Sequence, residues 1–141
     1  MRPGCTIHPL RKTESEQIVR LWEICGLTRP WNDPRQDIAF CRDSPTSELL
    51  VLPDQNGAVA GTIMVGHDGH RGWVYYLAVL PALQGQGHGK RLVNAGEAWL
   101  QACGVQKINL MVRTGNTDVC DFYRRLGYAD SGVTVLAKWL E

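Results

Sequence analysis

A β-prone run, Tyr75-Tyr76-Leu77-Ala78-Val79, is followed closely by Gln84-Gly85-Gln86-Gly87-His88-Gly89 and then by Lys90-Arg91 at the head of a helix-like stretch. Strand, glycine loop, helix is an order that few folds can accommodate. Each glycine loses more backbone freedom on folding than any other residue, so three of them make a costly ordinary turn. Cations at a helix start are disfavoured by roughly 0.3–1 kcal/mol each. Both choices become sensible if an anion arrives there. Without Cβ atoms the backbone N–H groups can converge on a ligand, and the helix end adds unpaired donors and partial positive charge, so a phosphate group fits. A dinucleotide fingerprint starting at Gly85 would need glycine at Lys90, and a P-loop ending in Gly89-Lys90 would need glycine at Gln84 and Ser or Thr at Arg91. Neither matches. Taken alone, the loop also allows a plain flexible connection with Lys90 and Arg91 solvated.

The rest of the chain supplies a sheet and helices around this loop. Residues 5–10 predict a first strand. Thr13-Glu14-Ser15-Glu16 reads as a capping box, with Ile18, Val19, Leu21, Trp22 and Cys25 at helical spacing until Gly26. Asp33-Pro34 reads as a helix cap and first residue, with Ile38 and Cys41 inward. Residues 48–52 and 58–65 form a hairpin across Asp54-Gln55-Asn56-Gly57, and residues 73–79 give the next strand. The helix after the glycine loop puts Leu92, Gly96, Trp99 and Cys103 on one face. A strand over 106–112, a helix over 117–126 and a last strand over 133–139 complete an α/β domain with a mixed sheet and helices on its faces.

A length of 141 residues suits one domain, and 44% apolar with 21% charged residues is ordinary for a globular protein. A net charge of +1 argues against a dedicated nucleic-acid binder. With no secretory leader pattern and no run long enough to span a bilayer, no membrane partner and a cytoplasmic protein are expected. The five cysteines are widely spaced without a C-x-x-C pair, so reduced thiols are expected and no metal site.

Gln84-Gly85-Gln86-Gly87-His88-Gly89 resembles the Q/R-x-x-G-x-G/A motif of the GCN5-related N-acetyltransferases, the GNAT superfamily. The strand of residues 75–79 followed by Pro81 is similar to the one that family sets before its loop. Asn116, then Tyr123 seven residues on, then Leu126-Gly127-Tyr128 resemble its asparagine, tyrosine and closing motif. Arg29-Pro30-Trp31-Asn32-Asp33-Pro34 and Asp68-Gly69-His70-Arg71-Gly72 are similar to the small bacterial YpeA-type acetyltransferases. The resemblance implies a single GNAT-type domain over residues 1–141, with a mixed, mostly antiparallel sheet splayed at its central strands and about four helices. It implies acetyl-CoA as co-substrate and an unidentified primary amine as acceptor, and it allows a homodimer.

By the same resemblance Leu77, Ala78 and Val79 would meet the pantetheine arm. Gln84, Gly85, Gln86, Gly87, His88, Gly89 and Lys90 would hold the pyrophosphate, and Asn116 would contact the cofactor or cap its helix. Tyr123 would protonate the departing thiolate, a role that suits a phenol with an ordinary pKa of about 10. Trp31, Asp33, Asp68 and His70 are candidate acceptor contacts, although Asp33 serves equally as a cap and Asp68 as a turn residue. Arg29 and Arg71 in the same loops would suit an acidic group on the acceptor. The strands of residues 73–79 and 106–112 hold no Asp or Glu, so a general base is not evident there. A CoA-binding sensor without catalysis is the alternative from another class.

Overall fold

Asp54 turns the chain as its type and neighbours predict. Its Oδ1 accepts from the N–H groups of Asn56 (2.8 Å) and Ala58 (3.0 Å), and Gly57 takes the left-handed φ of 84° that closes the hairpin. The strands so joined are β2 (Ser47–Pro53) and β3 (Val59–His67). They are flanked by β1 (His8–Pro9), β4 (Gly72–Val79) and β5 (Ile108–Leu110) in the order β1-β2-β3-β4-β5. Neighbours are antiparallel except β4 and β5, which run parallel. This is a computed structural model describing residues 6–140, so Cys5 of the expected first strand lies outside the described residues.

Both faces of the sheet are covered, and the strand periodicity shows by what. Gly61, Ile63 and Val65 point to helix α3 (His88–Ala102), whereas Thr62 points to helix α1 (Ser15–Ile24). Leu49 and Val51 join Ile18, Trp22, Ile38 and Cys41 in the core under α1 and α2 (Pro34–Asp43). Leu50 and Leu52 are buried too, which is why β2 reads as a continuous apolar run rather than an alternating one.

Local chemistry moved some boundaries. A 3-10 turn over Lys12–Glu14 precedes α1, closed two residues upstream of the expected box: Arg11 N–H donates to Glu14 Oε1 (2.8 Å), and Glu14 N–H donates to the Arg11 carbonyl (3.0 Å). Glu16 instead receives a forked pair of bonds from Arg35 at 2.8 and 3.0 Å, tying α1 to α2, and the guanidinium lowers its carboxyl pKa. Asp33 does cap α2, accepting from Arg35 N–H at 2.9 Å. On α3 the buried stripe is Leu92, Val93, Gly96 and Leu100; Trp99 is half-buried and Cys103 exposed, because Leu100 rather than Cys103 continues the four-residue step from Gly96.

Residues from Met111 onward form a second compact unit, with α4 at Thr117–Arg125. The expected last strand over 133–139 is absent. Pairing needs a neighbouring backbone, none of the described strands pairs with it, and Val133, Leu136 and Trp139 stay 73%, 90% and 73% exposed.

Gly96 marks the closest approach of α3 to the sheet: a Cβ there would lie 2.9 Å from Val65 Cγ1 and 3.2 Å from Ile63 Cδ1. Val65 Cγ1 branches directly from Cβ, and Ile63 Cδ1, although terminal, lies on a fully buried side chain with little room to move. Gly96→Val is therefore expected to destabilise by roughly 1–3 kcal/mol through overpacking, read as a lower urea midpoint with an unchanged slope.

Candidate functional site

The site is organised by one extra residue in β4. Met64 pairs with Tyr75 and Thr62 with Ala78, so Ile63 alone faces both Tyr76 and Leu77. Tyr76 takes up the bulge with φ 51°, a left-handed conformation that costs a residue with a Cβ roughly 1–2 kcal/mol. The surroundings hold it there. Its ring stacks on Trp22 with centroids 3.7 Å apart and planes 7° from parallel. Its backbone carbonyl accepts from Thr62 Oγ1 (2.8 Å), which itself accepts from Trp22 Nε1 (2.9 Å).

Beyond the bulge, one edge of β4 has no strand partner among the described residues. Leu80 N–H donates to Ala60 carbonyl at 2.9 Å, so by strand alternation Leu77 and Val79 turn their N–H and C=O groups away from β3. On that side β5 accompanies β4 only from Gly72 to Val74. The two strands thus part company where the resemblance expects a splay. One polar group on this edge is already engaged: Val79 carbonyl accepts from Gln84 Nε2 (2.9 Å) and from the Cys25 thiol (3.4 Å). Gln84 therefore fastens the glycine loop to the end of β4, while burial pushes the Cys25 thiol pKa up.

Gly85 and Gly87 have φ of 77° and 85°, and a Cβ on either would meet nothing within 4 Å. These glycines are thus required by backbone conformation, and they border open space. Gly87 leads into α3 with no side-chain cap and no acidic residue in the first turn. Exposed Lys90 lies in that turn, and Arg91 Nη1 lies 3.3 Å from His88 Nδ1. Open, uncapped donors with cations alongside fit a pyrophosphate.

Sequence reasoning missed a polar trio beside the bulge. Asp37 Oδ2 accepts from Tyr76 Oη (2.6 Å) and from Asn32 Nδ2 (2.5 Å), and Asn32 Nδ2 also approaches Tyr76 Oη at 3.0 Å. Burial, then the bond to Asp37, raises the Tyr76 phenol well above its ordinary range. Asp37 looks in the sequence like any first-turn helix acid, and no local signal marks Tyr76 as a bulge.

The other candidates fall elsewhere. Trp31 is 59% exposed in the loop before α2, and Asp33 is engaged as a cap. Asp68 and His70 occupy the β3–β4 turn, at the opposite end of β4 from the glycine loop. Asp68 Oδ1 accepts from the N–H groups of His70 (2.9 Å) and Arg71 (2.8 Å), and Trp73 Nε1 reaches Oδ2 at 3.3 Å. These bonds lower its pKa and make it a turn residue. Arg29 spends Nη1 on the carbonyls of Gly26 and Thr28. In the second unit, Asn116 Oδ1 caps α4 by accepting from Val119 N–H (3.4 Å). Tyr123 is buried, edge-on to Phe122 and Tyr128, and burial pushes its phenol up to about 12. Among the described residues, no group of His, Cys, Asp and Glu could hold a metal ion, and no helix is long and apolar enough to cross a membrane.

Residues 15–128 match the profile of the acetyltransferase (GNAT) family. The chain belongs to that family. This GNAT chain is 39% identical to acetyltransferase YE1169 of Yersinia enterocolitica over 134 residues, 95% of this chain and 94% of the relative. Its fold is that of a transcriptional regulator from Bacillus halodurans (TM-score 0.82, 19% identity, 95% of this chain and 99% of the other). It is also that of AAC(6')-Iy, solved with a bisubstrate analog, CoA-S-monomethyl-acetylneamine (TM-score 0.80, 14% identity, 96% and 97%).

The raised phenols carry a consequence for alkaline stability. Unfolded tyrosines lose their protons near pH 10, whereas folded Tyr123 keeps its proton to about pH 12. Its contribution is therefore complete below about pH 10 and is lost as pH climbs from there through about 12. Urea midpoints measured across that window should fall for the native chain, and fall less steeply for Tyr123→Phe.

Proposed function

We propose that this chain is an acetyl-CoA-dependent N-acetyltransferase that acts as a single domain over residues 1–141. It passes the acetyl group to a primary amine by direct attack in a ternary complex. The observation that carries this reading is the continuity of the free edge at Leu77 and Val79 with the open, uncapped glycine loop at Gly85 and Gly87. A pantetheine arm is peptide-like and can extend a sheet at such an edge, while the pyrophosphate is met by N–H groups of residues 85–90. Because Val79 carbonyl is engaged, the edge offers the N–H groups of Leu77 and Val79 and the carbonyl of Leu77.

In the transfer, the neutral amine nitrogen bonds to the thioester carbon, the C–S bond breaks, and the sulfur leaves as thiolate. The proton shed by the nitrogen passes through solvent to restore the acid that protonates the sulfur. An edge N–H at Leu77 or Val79 stabilises the charge that develops on the carbonyl oxygen. Tyr123 gives its proton to the sulfur. Its raised pKa keeps it protonated at neutral pH, and Asn116 holds the start of the helix that carries it.

Thiol release from acetyl-CoA against a panel of primary amines tests this reading. Turnover is expected, and Tyr123→Phe should lower kcat by about 10²–10⁴-fold with acetyl-CoA affinity retained. Equal kcat in Tyr123→Phe removes the acid assignment. Tight CoA binding without turnover on any amine points to the sensor alternative, and absence of CoA binding sinks both. Gly87→Ala should cost roughly 1–2 kcal/mol of local strain at its positive φ and weaken CoA affinity, checked by calorimetric titration alongside a melting curve.

A further inference from the structure

Asp37, in the first turn of α2, has no cationic side-chain partner among the described residues. Asp37 is half-buried, and both side-chain bonds that its carboxylate accepts fall on Oδ2, from Tyr76 Oη and Asn32 Nδ2. Among the described residues, Oδ1 accepts no hydrogen bond and no Lys, Arg or His side chain forms an ion pair with Asp37. The contrast with the other acids around these helices is plain: Glu16 is paired with Arg35, Asp33 caps α2, and Glu14 lies 3.6 Å from His8 Nε2. A partly desolvated carboxylate held rigidly by two neutral donors, with one oxygen left over, favours a cation.

We propose that Asp37, oriented by Tyr76 and Asn32, is the subsite that binds the acceptor as a protonated primary amine, with Asp37 Oδ1 taking the ammonium. The inference rests on the N-acetyltransferase reading only in calling that amine the acceptor. Its position supports the assignment, because Tyr76 directly precedes Leu77 at the start of the free β4 edge. The bulge at the start of that edge also aims the Tyr76 ring at Asp37, so the ammonium is held beside the place proposed for the acyl group and becomes the nucleophile on losing a proton to solvent. Trp22 fixes the ring from below, which removes the entropy cost of ordering it on binding. The acceptor is thereby a cationic amine, not the acidic molecule that Arg29 and Arg71 would suit.

The test uses the full-length chain without CoA and two probes of matched shape, 2-phenylethylammonium and uncharged 2-phenylethanol, titrated by calorimetry. The native chain should bind the ammonium at least about tenfold more tightly, the usual effect of one charge-assisted hydrogen bond. Asp37→Asn keeps the shape and an acceptor for Tyr76, and should abolish the preference. Tyr76→Phe keeps the stack on Trp22 and should weaken it partially. In the native chain the ammonium, and not the alcohol, should shift the Asn32 side-chain amide resonance, a readout that does not depend on any variant folding. Equal affinities for the two probes, no binding of either, an unmoved Asn32 resonance, or a preference retained in folded Asp37→Asn overturns the proposal. Acetyl-CoA affinity is measured separately: its absence in the native chain defeats the acetyltransferase reading and leaves the ammonium result standing.

Discussion

The face-to-face stack of Trp22 on Tyr76 holds a strand in a shape it would not adopt alone. A tyrosine at φ 51° is strained, and its relaxation would restore regular pairing between β3 and β4. The stack, the carbonyl bond from Thr62 and the phenol bond to Asp37 oppose that relaxation from both sides of the residue. Each is worth on the order of 1 kcal/mol, so together they exceed a strain of similar size. The site is therefore built on an irregularity of the strand, and the irregularity depends on core contacts.

Two geometric features follow from that point. The bulge inserts a residue into β4 and bends it, and β5 accompanies β4 only through Val74, so among the described residues the edge after the bulge has no strand partner. That edge leads through Val79 to Gln84, whose side chain returns to the Val79 carbonyl and sets where the glycine loop begins. The loop's left-handed glycines then deliver the chain to α3 with its first N–H groups uncapped. The packing of Gly96 on Ile63 and Val65 keeps α3 close against the face of the same sheet. Edge, loop and helix end share one mechanical base in β3 and β4.

Features whose cause is local were legible in the sequence. Gly85 and Gly87 sit where positive φ is needed, Asp33-Pro34 starts a helix, and Asp54 with Gly57 closes a hairpin, because each depends on a few adjacent residues. Features decided by distant partners were not. Glu16 looked like a capping acid, but Arg35 took it, leaving Glu14 to close the turn. Trp99 and Cys103 fit a helical face, but the surface they would cover is filled by Leu100. Residues 133–139 have strand-like composition but form no strand. Tyr76 and Asp37 are the extreme case. They are 39 positions apart, and nothing near either one announces the other.

The same division explains why the proposed cofactor side is easier to read than the proposed acceptor side. A pyrophosphate is met by backbone donors, which require absent side chains and therefore leave a run of glycines as a visible trace. An ammonium is met by a carboxylate, which occurs throughout any sequence and becomes specific only through the groups that desolvate and orient it. Here those groups are a phenol from a β4 bulge and an amide from the loop before α2, both brought to α2 by the fold. Within one family, loops and helix faces can thus change the acceptor while the glycine loop stays recognisable, and the fold alone does not name the substrate. On the proposed acceptor side the more informative trace is a half-buried carboxylate without a cationic side-chain partner among the described residues, oriented by groups that other elements bring to it.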